Sequence, residues 1–536
     1  MRTDSRSPSA RVIAGALALV ATAAAFLQIE RGIGDVHQSL LYVAHNLMIT
    51  GALAIFFLLL TRRPWTSALA GLAIVLLIWF ASRLKVAATD VPALASDLPR
   101  ILDTWDVVLA FGWPVLVAAG VGAILLGVLV GRERPIRIDW PRRFAGAAAS
   151  IALLAGSGAI QARIPVDDDD VLTNNGPKIA QFVRSIYATP DFRDARFPDL
   201  GPYCCFRNEA PPRLRFGGAV MPNVVVVLQE STFPPENLRG LTPVRNRLLE
   251  GAAPLRVDVI GGGTWVEEYA LLHGVPPSVY GRDFMQVLWL GRRLGLEGRL
   301  APMLAAAGYR TVSVLPAFAH ELGDSGEMQR SLGFERVVDC PKIDGCERGG
   351  AWTSVADAAL YAHALKELRA AETPAFVYVA TMRQHSPHVS GYPKRAYRDE
   401  IVAEYLRRLD ASATEADDFL RELKSLARPT VVLMFGDHIA TDVNSAFSQE
   451  EFRRSRRHTF FNLYDATGEP VAGRLMDAYR SVEAPSTAFL DAILLRFAGF
   501  ESDYIDRKLA MMQACGGVFC VKPEDGSQVD TRGAPQ

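Results

Sequence analysis

The sequence predicts two unlike domains: an N-terminal five-helix transmembrane domain, then an external α/β domain with a largely parallel sheet. Three observations predict this. Five apolar stretches, each near the ~20 residues that cross a bilayer as a helix, fall within the first 163 of 536 residues. Those 163 residues hold 15 basic and 9 acidic side chains, whereas the remaining 373 hold 42 and 49. From residue 222 onward, short β-branched runs alternate with helical stretches, the pattern of a doubly covered parallel sheet.

The apolar stretches run roughly over 11–29, 39–61, 65–82, 107–130 and 143–162. The first is long and four more follow, so it reads as an uncleaved first helix rather than a signal peptide. Lys and Arg set the orientation. Arg2, Arg6 and Arg11 precede the first span, Arg62 and Arg63 fill the second connection, and Arg132, Arg134, Arg137, Arg142 and Arg143 crowd the fourth. The third connection instead sets Asp90, Asp97, Asp103 and Asp106 against Arg83, Lys85 and Arg100. The tail and the second and fourth connections are therefore expected on the cytoplasmic side, and five spans place everything after Arg163 outside.

The expected organisation is 1–163 membrane domain, 164–215 connector, 216–520 catalytic-type α/β domain and 521–536 disordered tail. The connector opens on the acidic run Asp167–Asp170 and includes a helix ending near Tyr187. All six cysteines follow the last span, where disulfides can form. Cys340/Cys346 and Cys515/Cys520 are spaced to staple short loops; Cys204 and Cys205 are adjacent, and fifteen pairings are open. The overall charge of −1 excludes a nucleic-acid binder built on a basic surface, and a mean hydropathy of +0.13 excludes a disordered chain.

Strands are expected at Val224–Leu228, Val257–Ile260, Thr311–Leu315, Phe376–Ala380 and Thr430–Phe435. Helices are expected near 240–250, 265–273, 299–307, 354–370 and 399–427. Ligands of such sheets gather at the carboxyl ends of the strands, so the residues after each strand are the ones to read. They are Gln229-Glu230-Ser231-Thr232, then Gly261-Gly262-Gly263-Thr264, then Thr381 to His388 (TMRQHSPH), then Gly436-Asp437-His438. A carboxylate, a hydroxyl, imidazoles and an Asp-His pair converge on one rim, a set suited to a divalent cation and a nucleophile. Thr264 also has a plain structural reading: Thr-Trp-Val-Glu is a capping box with Thr264 as N-cap and Glu267 answering it. A hydroxyl at a helix start additionally lies where phosphate is attracted.

NVVVVLQEST, GGGTWVEEYALLHGVPPSVYG, TMRQHSP and TVVLMFGDH resemble the signature blocks of the membrane-anchored, sulfatase-like transferases of the alkaline phosphatase superfamily. That group includes lipoteichoic acid synthases, glucan phosphoglycerol transferases and lipid A phosphoethanolamine transferases. The resemblance implies an alkaline phosphatase-like external domain and one divalent metal ion, Mn²⁺ or Zn²⁺ with Mg²⁺ as a further option. It implies that Glu230, Thr264, Asp437 and His438 hold the metal and that Thr264 is the nucleophile. His385 matches the histidine at the substrate phosphate; Trp352 and Asp357 fall where the group carries a substrate segment, and His458 lies downstream. The implied reaction moves a phosphoglycerol or phosphoethanolamine headgroup from a membrane phospholipid to a glycan or lipid acceptor. The implied location is the bacterial cell membrane, multi-pass, with the catalytic domain periplasmic or extracellular. Position 264 is Thr and no C/S-x-P-x-R context surrounds it, which disfavours a formylglycine sulfatase. Ile439-Ala440 after Asp437-His438 leans away from the phosphoethanolamine branch. A sulfatase-like ester hydrolase and a non-catalytic envelope binding protein are the rival readings.

Overall fold

The computed structural model describes residues 36–89, most of 117–161, 178–183, 212–277, 299–317, 325–349, 352–389 and 394–520, with a few isolated positions besides. The chain divides into two compact units, Met1–Thr189 and Pro190–Gln536. The expected span at 11–29, most of the one at 107–130 and of the connector, Cys204, Cys205 and the tail lie outside the described residues.

The N-terminal unit contains α1 (Val36–Thr61), α2 (Pro64–Thr89) and α3 (Trp140–Gln161). Three stretches in them, Leu40–Thr61, Pro64–Arg83 and Trp140–Gln161, are long and apolar enough to cross a membrane, and a shorter apolar helix covers Gly120–Arg132. Phe56, Leu60, Phe144 and Ile151 stand exposed on these helices, as side chains facing lipid do. Arg62 adopts a positive φ of 59° that ends α1, and Pro64 opens α2 at the one place where a missing N–H costs nothing. The first amides of α2 are satisfied from far along the chain. Glu133 accepts from Trp65 N at 2.8 Å and from Thr66 N and Oγ1 at 2.7 and 2.6 Å. Arg63 Nε donates to Glu133 O (2.9 Å), and Ile136 N donates to Arg62 O (2.8 Å).

The C-terminal unit is built on a seven-stranded sheet: β1 (Asn223–Gln229), β2 (Ala253–Arg256), β3 (Arg310–Val314), β4 (Arg336–Val338), β5 (Ala375–Ala380), β6 (Thr430–Gly436) and β7 (His458–Tyr464). Their order is β2-β7-β6-β1-β5-β3-β4. The five from β6 to β4 are parallel; β7 runs antiparallel to both its neighbours, β6 and β2. The sheet is thus mixed and mostly parallel. β1 is buried throughout, which is why it reads as an unbroken apolar run. Val224, Val226 and Leu228 enter one core with Leu271, Leu300 and Ile493, while Val225 and Val227 enter the other with Leu360, Leu409 and Phe419. The first face is covered by α4 (Thr264–His273) and by helices Leu300–Ala306, Leu490–Phe497 and Asp503–Ala514. The second is covered by helices Asp357–Arg369 and Arg398–Leu423.

Two expected elements are corrected. The strand read at Val257–Ile260 lies earlier, at Ala253–Arg256, and 257–260 turns off the sheet with Asp258 N and Val259 N donating to Glu267 Oε1. The stretch 240–250 forms turns rather than a helix. Cys340–Cys346 and Cys515–Cys520 are disulfide-bonded, as their spacing suggested.

Candidate active site

β1 lies between β5 and β6, so the connection from β5 to β6 passes over it and a crevice opens at their carboxyl ends, the place where such sheets bind ligands. Glu230 follows β1, Asp437 and His438 follow β6, and the loop 381–388 follows β5. Gly436 makes the junction possible: a Cβ there would lie 1.9 Å from Thr232 O. This close approach brings Asp437 Oδ1 to Ser231 N at 2.7 Å. Ser231 sits at φ 52°, a left-handed conformation that costs a serine of order 1 kcal/mol, and its hydroxyl donates to Glu230 Oε1 at 2.8 Å. Nothing in the sequence singles out Ser231 beyond its place next to Glu230.

Glu230, Asp437 and His438 are buried and offer ligand atoms lying within 4.8 Å of one another. His438 Nδ1 donates to Ile439 O at 3.0 Å, a carbonyl that can only accept, so its Nε2 presents a lone pair. That lone pair faces Glu230 Oε1 at 3.7 Å and Asp437 Oδ2 at 3.2 Å. Asp437 Oδ2 is itself buried without a hydrogen bond among the described residues. Burial pushes the Asp437 carboxyl well above the ordinary carboxylate range and the Glu230 charge pushes it further, with bonds from Ser231, Thr264 and His438 offsetting part of this. Two buried carboxylates and one imidazole with ligand atoms this close together could hold a divalent cation, and such a set suits Mn²⁺, Zn²⁺ or Mg²⁺.

Thr264 completes the group and corrects the capping-box reading. The N-cap is Gly263 at φ 82°, preceded by Gly262 at φ 69°, and Thr264 is already the first helical residue. Two consecutive left-handed residues need glycine; they turn the chain so that the Thr264 hydroxyl leaves its own helix. It donates to Glu230 Oε2 at 2.9 Å and lies 3.3 Å from His438 Nε2. Glu267 reaches back past the cap to Asp258 N and Val259 N. Glu268, one turn on, is buried against Tyr378 and Gln329, and burial pushes it up to about 7.

The loop after β5 is gripped by three charged side chains. Asp357 Oδ1 accepts from Met382 N and Arg383 N at 3.2 Å, and its Oδ2 accepts from Ser412 Oγ at 2.8 Å. Asp442 accepts from Ser386 Oγ (2.9 Å), from His388 N and from His388 Nδ1 (2.8 Å). Arg408 donates to the carbonyls of Arg383, His385 and Pro387. His385 rides on this loop, half-buried, with Nδ1 donating to Ser386 O at 2.6 Å. Asp357, which the resemblance put in a substrate segment, is fully buried, with both oxygens accepting from the loop and Ser412. Trp352 opens the short strand Trp352–Ser354. His458 opens β7 opposite Arg256 and stands outside the metal-type cluster. Asp442, Arg408 and Ser231 are the residues that motif reading passed over.

Residues 222–457, which span this whole rim, match the family model described as Sulfatase. Over this stretch the chain is similar to the sulfatase family. A curated relative of the chain, an uncharacterized protein of Haemophilus influenzae, is 24% identical over 345 residues, 58% of this chain and 59% of that protein; the chain thus spans less than two thirds of the relative's length. Among solved structures, the integral membrane lipooligosaccharide phosphoethanolamine transferase A of Neisseria meningitidis is similar over 86% of this chain and 95% of its own, at 14% identity and a TM-score of 0.52. The Streptococcus pyogenes phosphoglycerol transferase GacH, in complex with sn-glycerol-1-phosphate, is similar over 62% and 85%, at 17% identity and a TM-score of 0.44. At these identities the likeness is one of fold alone.

Proposed function

We propose that the chain is a metal-dependent transferase that moves a phosphoglycerol or phosphoethanolamine headgroup from a membrane phospholipid to an envelope glycan or lipid. We place it in a bacterial cell membrane as a multi-pass protein with domain 216–520 on the periplasmic or extracellular face. The carrying observation is the Thr264 hydroxyl, held between Glu230 and His438 instead of capping its helix. Glu230, Asp437, His438 and Thr264 would hold the ion. A divalent cation bound there lowers the hydroxyl's pKa and neutralises phosphate charge.

The chain's own residues then have these parts. Thr264 Oγ attacks the donor phosphorus while its proton passes to Glu230, already its hydrogen-bond acceptor. The bond from phosphorus to the diacylglycerol oxygen breaks, and His385 supplies that oxygen's proton. Nδ1 of His385 is committed to Ser386 O, so Nε2 carries the exchange. An acceptor hydroxyl next displaces Thr264, His385 recovers a proton from it, and Thr264 regains its own from Glu230. The headgroup rests on Thr264 between the two steps.

The test incubates the full-length protein in micelles with phosphatidylglycerol or phosphatidylethanolamine and Mn²⁺ or Zn²⁺, following diacylglycerol release and the mass of the Thr264 peptide. A headgroup-phosphate adduct is expected, and Thr264→Ala should lower release by 10³-fold or more, roughly the scale of a lost nucleophile. Release that survives Thr264→Ala sinks the mechanism.

A further inference from the structure

The segment Arg453-Arg454-Ser455-Arg456-Arg457-His458 is the most basic run in the sulfatase-like domain, and the metal-type cluster has no use for it. It is a built turn. Arg453 N donates to Asn237 O at 2.7 Å and His458 N to Ser455 O at 3.0 Å. Arg456 is buried, donating to Phe447 O at 2.8 Å with its guanidinium over the Phe452 ring. Arg457 donates to Asp258 O, and Val257 N to Arg457 O. These anchors leave Arg453 and Arg454 exposed, with Arg239 exposed on the neighbouring loop.

The turn stands on the rim of the cluster. Phe461 pairs with Phe435, the residue just before Gly436-Asp437-His438. Thr459 Oγ1 donates to Gly436 O at 2.6 Å. His458 pairs in turn with Arg256 of β2, two strand spacings, ~10 Å, from β6. Glu451 is engaged by Arg398 and Ser448, and Glu483 is a carboxylate acting on His458. Burial lowers the His458 imidazole, and Arg454 and Arg256 lower it further against Glu483. Like charges assembled beside a phosphate-type site raise the local concentration of anions.

We propose that Arg453, Arg454, Arg239 and Arg256 seat an anionic group of the acceptor, one that carries a phosphate or comparable charge besides the hydroxyl that reacts. The assignment rests on the transferase reading for the word acceptor. The donor headgroups proposed above bring one phosphate, and that phosphate belongs at Thr264; an anion taken at the rim is a second one.

The experiment uses the full chain in phosphatidylcholine nanodiscs with divalent ions chelated, so that no cation draws phosphate to Glu230, Asp437 and His438 and binding reports the rim. Glucose 6-phosphate is the probe and glucose the uncharged control, titrated calorimetrically at low and moderate salt. Glucose 6-phosphate should bind with an affinity that falls as salt rises, and the double variant Arg453→Gln/Arg454→Gln should weaken it about tenfold. Glucose should bind both proteins equally weakly. Both arginines are exposed, and an unchanged thermal melt confirms the variant's fold. Equal affinity of wild type and variant for glucose 6-phosphate overturns the proposal. So does loss of probe binding when the nanodiscs are doped with phosphatidylglycerol, which would assign the rim to the bilayer surface. Diacylglycerol release with Mn²⁺ is measured separately, so failure of the transferase reading is distinguishable from failure of the rim.

Discussion

Two of the buried carboxylate clusters in the sulfatase-like domain are balanced differently. Asp491 is fully buried, paired with Lys508 Nζ and bonded by Tyr504 OH; Lys508 also donates to Tyr504 at 3.0 Å. Every charge there is answered from within the chain. Glu230 and Asp437 are buried to the same degree, yet their neighbour is an imidazole lone pair, and one carboxylate oxygen has no hydrogen bond. The first cluster is finished when the chain folds. On the proposed function a cation from outside completes the second, so stability should depend on metal at one and not at the other.

The largest effect expected from this contrast is Lys508→Met, which strands Asp491 as an unpaired buried charge. It should cost about 3–5 kcal/mol in denaturant melts, equally with and without metal. Next is the metal itself: Mn²⁺ or Zn²⁺ at a hundred times its dissociation constant should add about 2.7 kcal/mol to the wild type. Asp437→Asn should flatten that response, and a wild-type melt indifferent to both metal and chelator would erase the contrast. Asp442→Asn should cost about 1–3 kcal/mol by leaving His388 without its acceptor. Despite burial, the hydrogen bond and charge of His388 hold the Asp442 carboxyl well below the ordinary range. A depressed carboxyl stabilises the fold fully above its unfolded pKa of about 3.9 and less as pH falls below it. The gap between wild type and Asp442→Asn should therefore narrow in acid melts. The smallest effect is Arg408→Ala, about 1 kcal/mol; it should lower kcat several-fold with KM little changed, because Arg408 holds the carbonyls around His385.

The sheet's centre was legible because β1, β5 and β6 are buried on both faces and so read as unbroken apolar runs, with Glu230, Thr381 and Asp437 directly after them. β2 was misplaced by one strand length, since Pro254 and Arg256 disguise an edge strand while the more β-branched Val257–Ile260 is a turn. β7 hides behind five basic residues that only the folded rim accounts for. The resemblance put Asp357 in a substrate segment, but its hydrogen-bond partners Met382, Arg383 and Ser412 are 25 to 55 positions away, beyond any local motif. The capping box at Thr264 failed for a local reason, two left-handed glycines that move the cap back by one residue and release the hydroxyl.

Glu133 gives the N-terminal unit a count. A chain that sets out along α2 from Pro64 and returns its Glu133 carboxylate to the amides of Trp65 and Thr66 has made a round trip. On the proposed membrane reading it crosses the bilayer an even number of times on the way. α2 is one crossing, and the shorter apolar helix Gly120–Arg132 would serve the return. On the same reading α3 is one crossing more, an odd total that the proposed external placement of the catalytic domain requires.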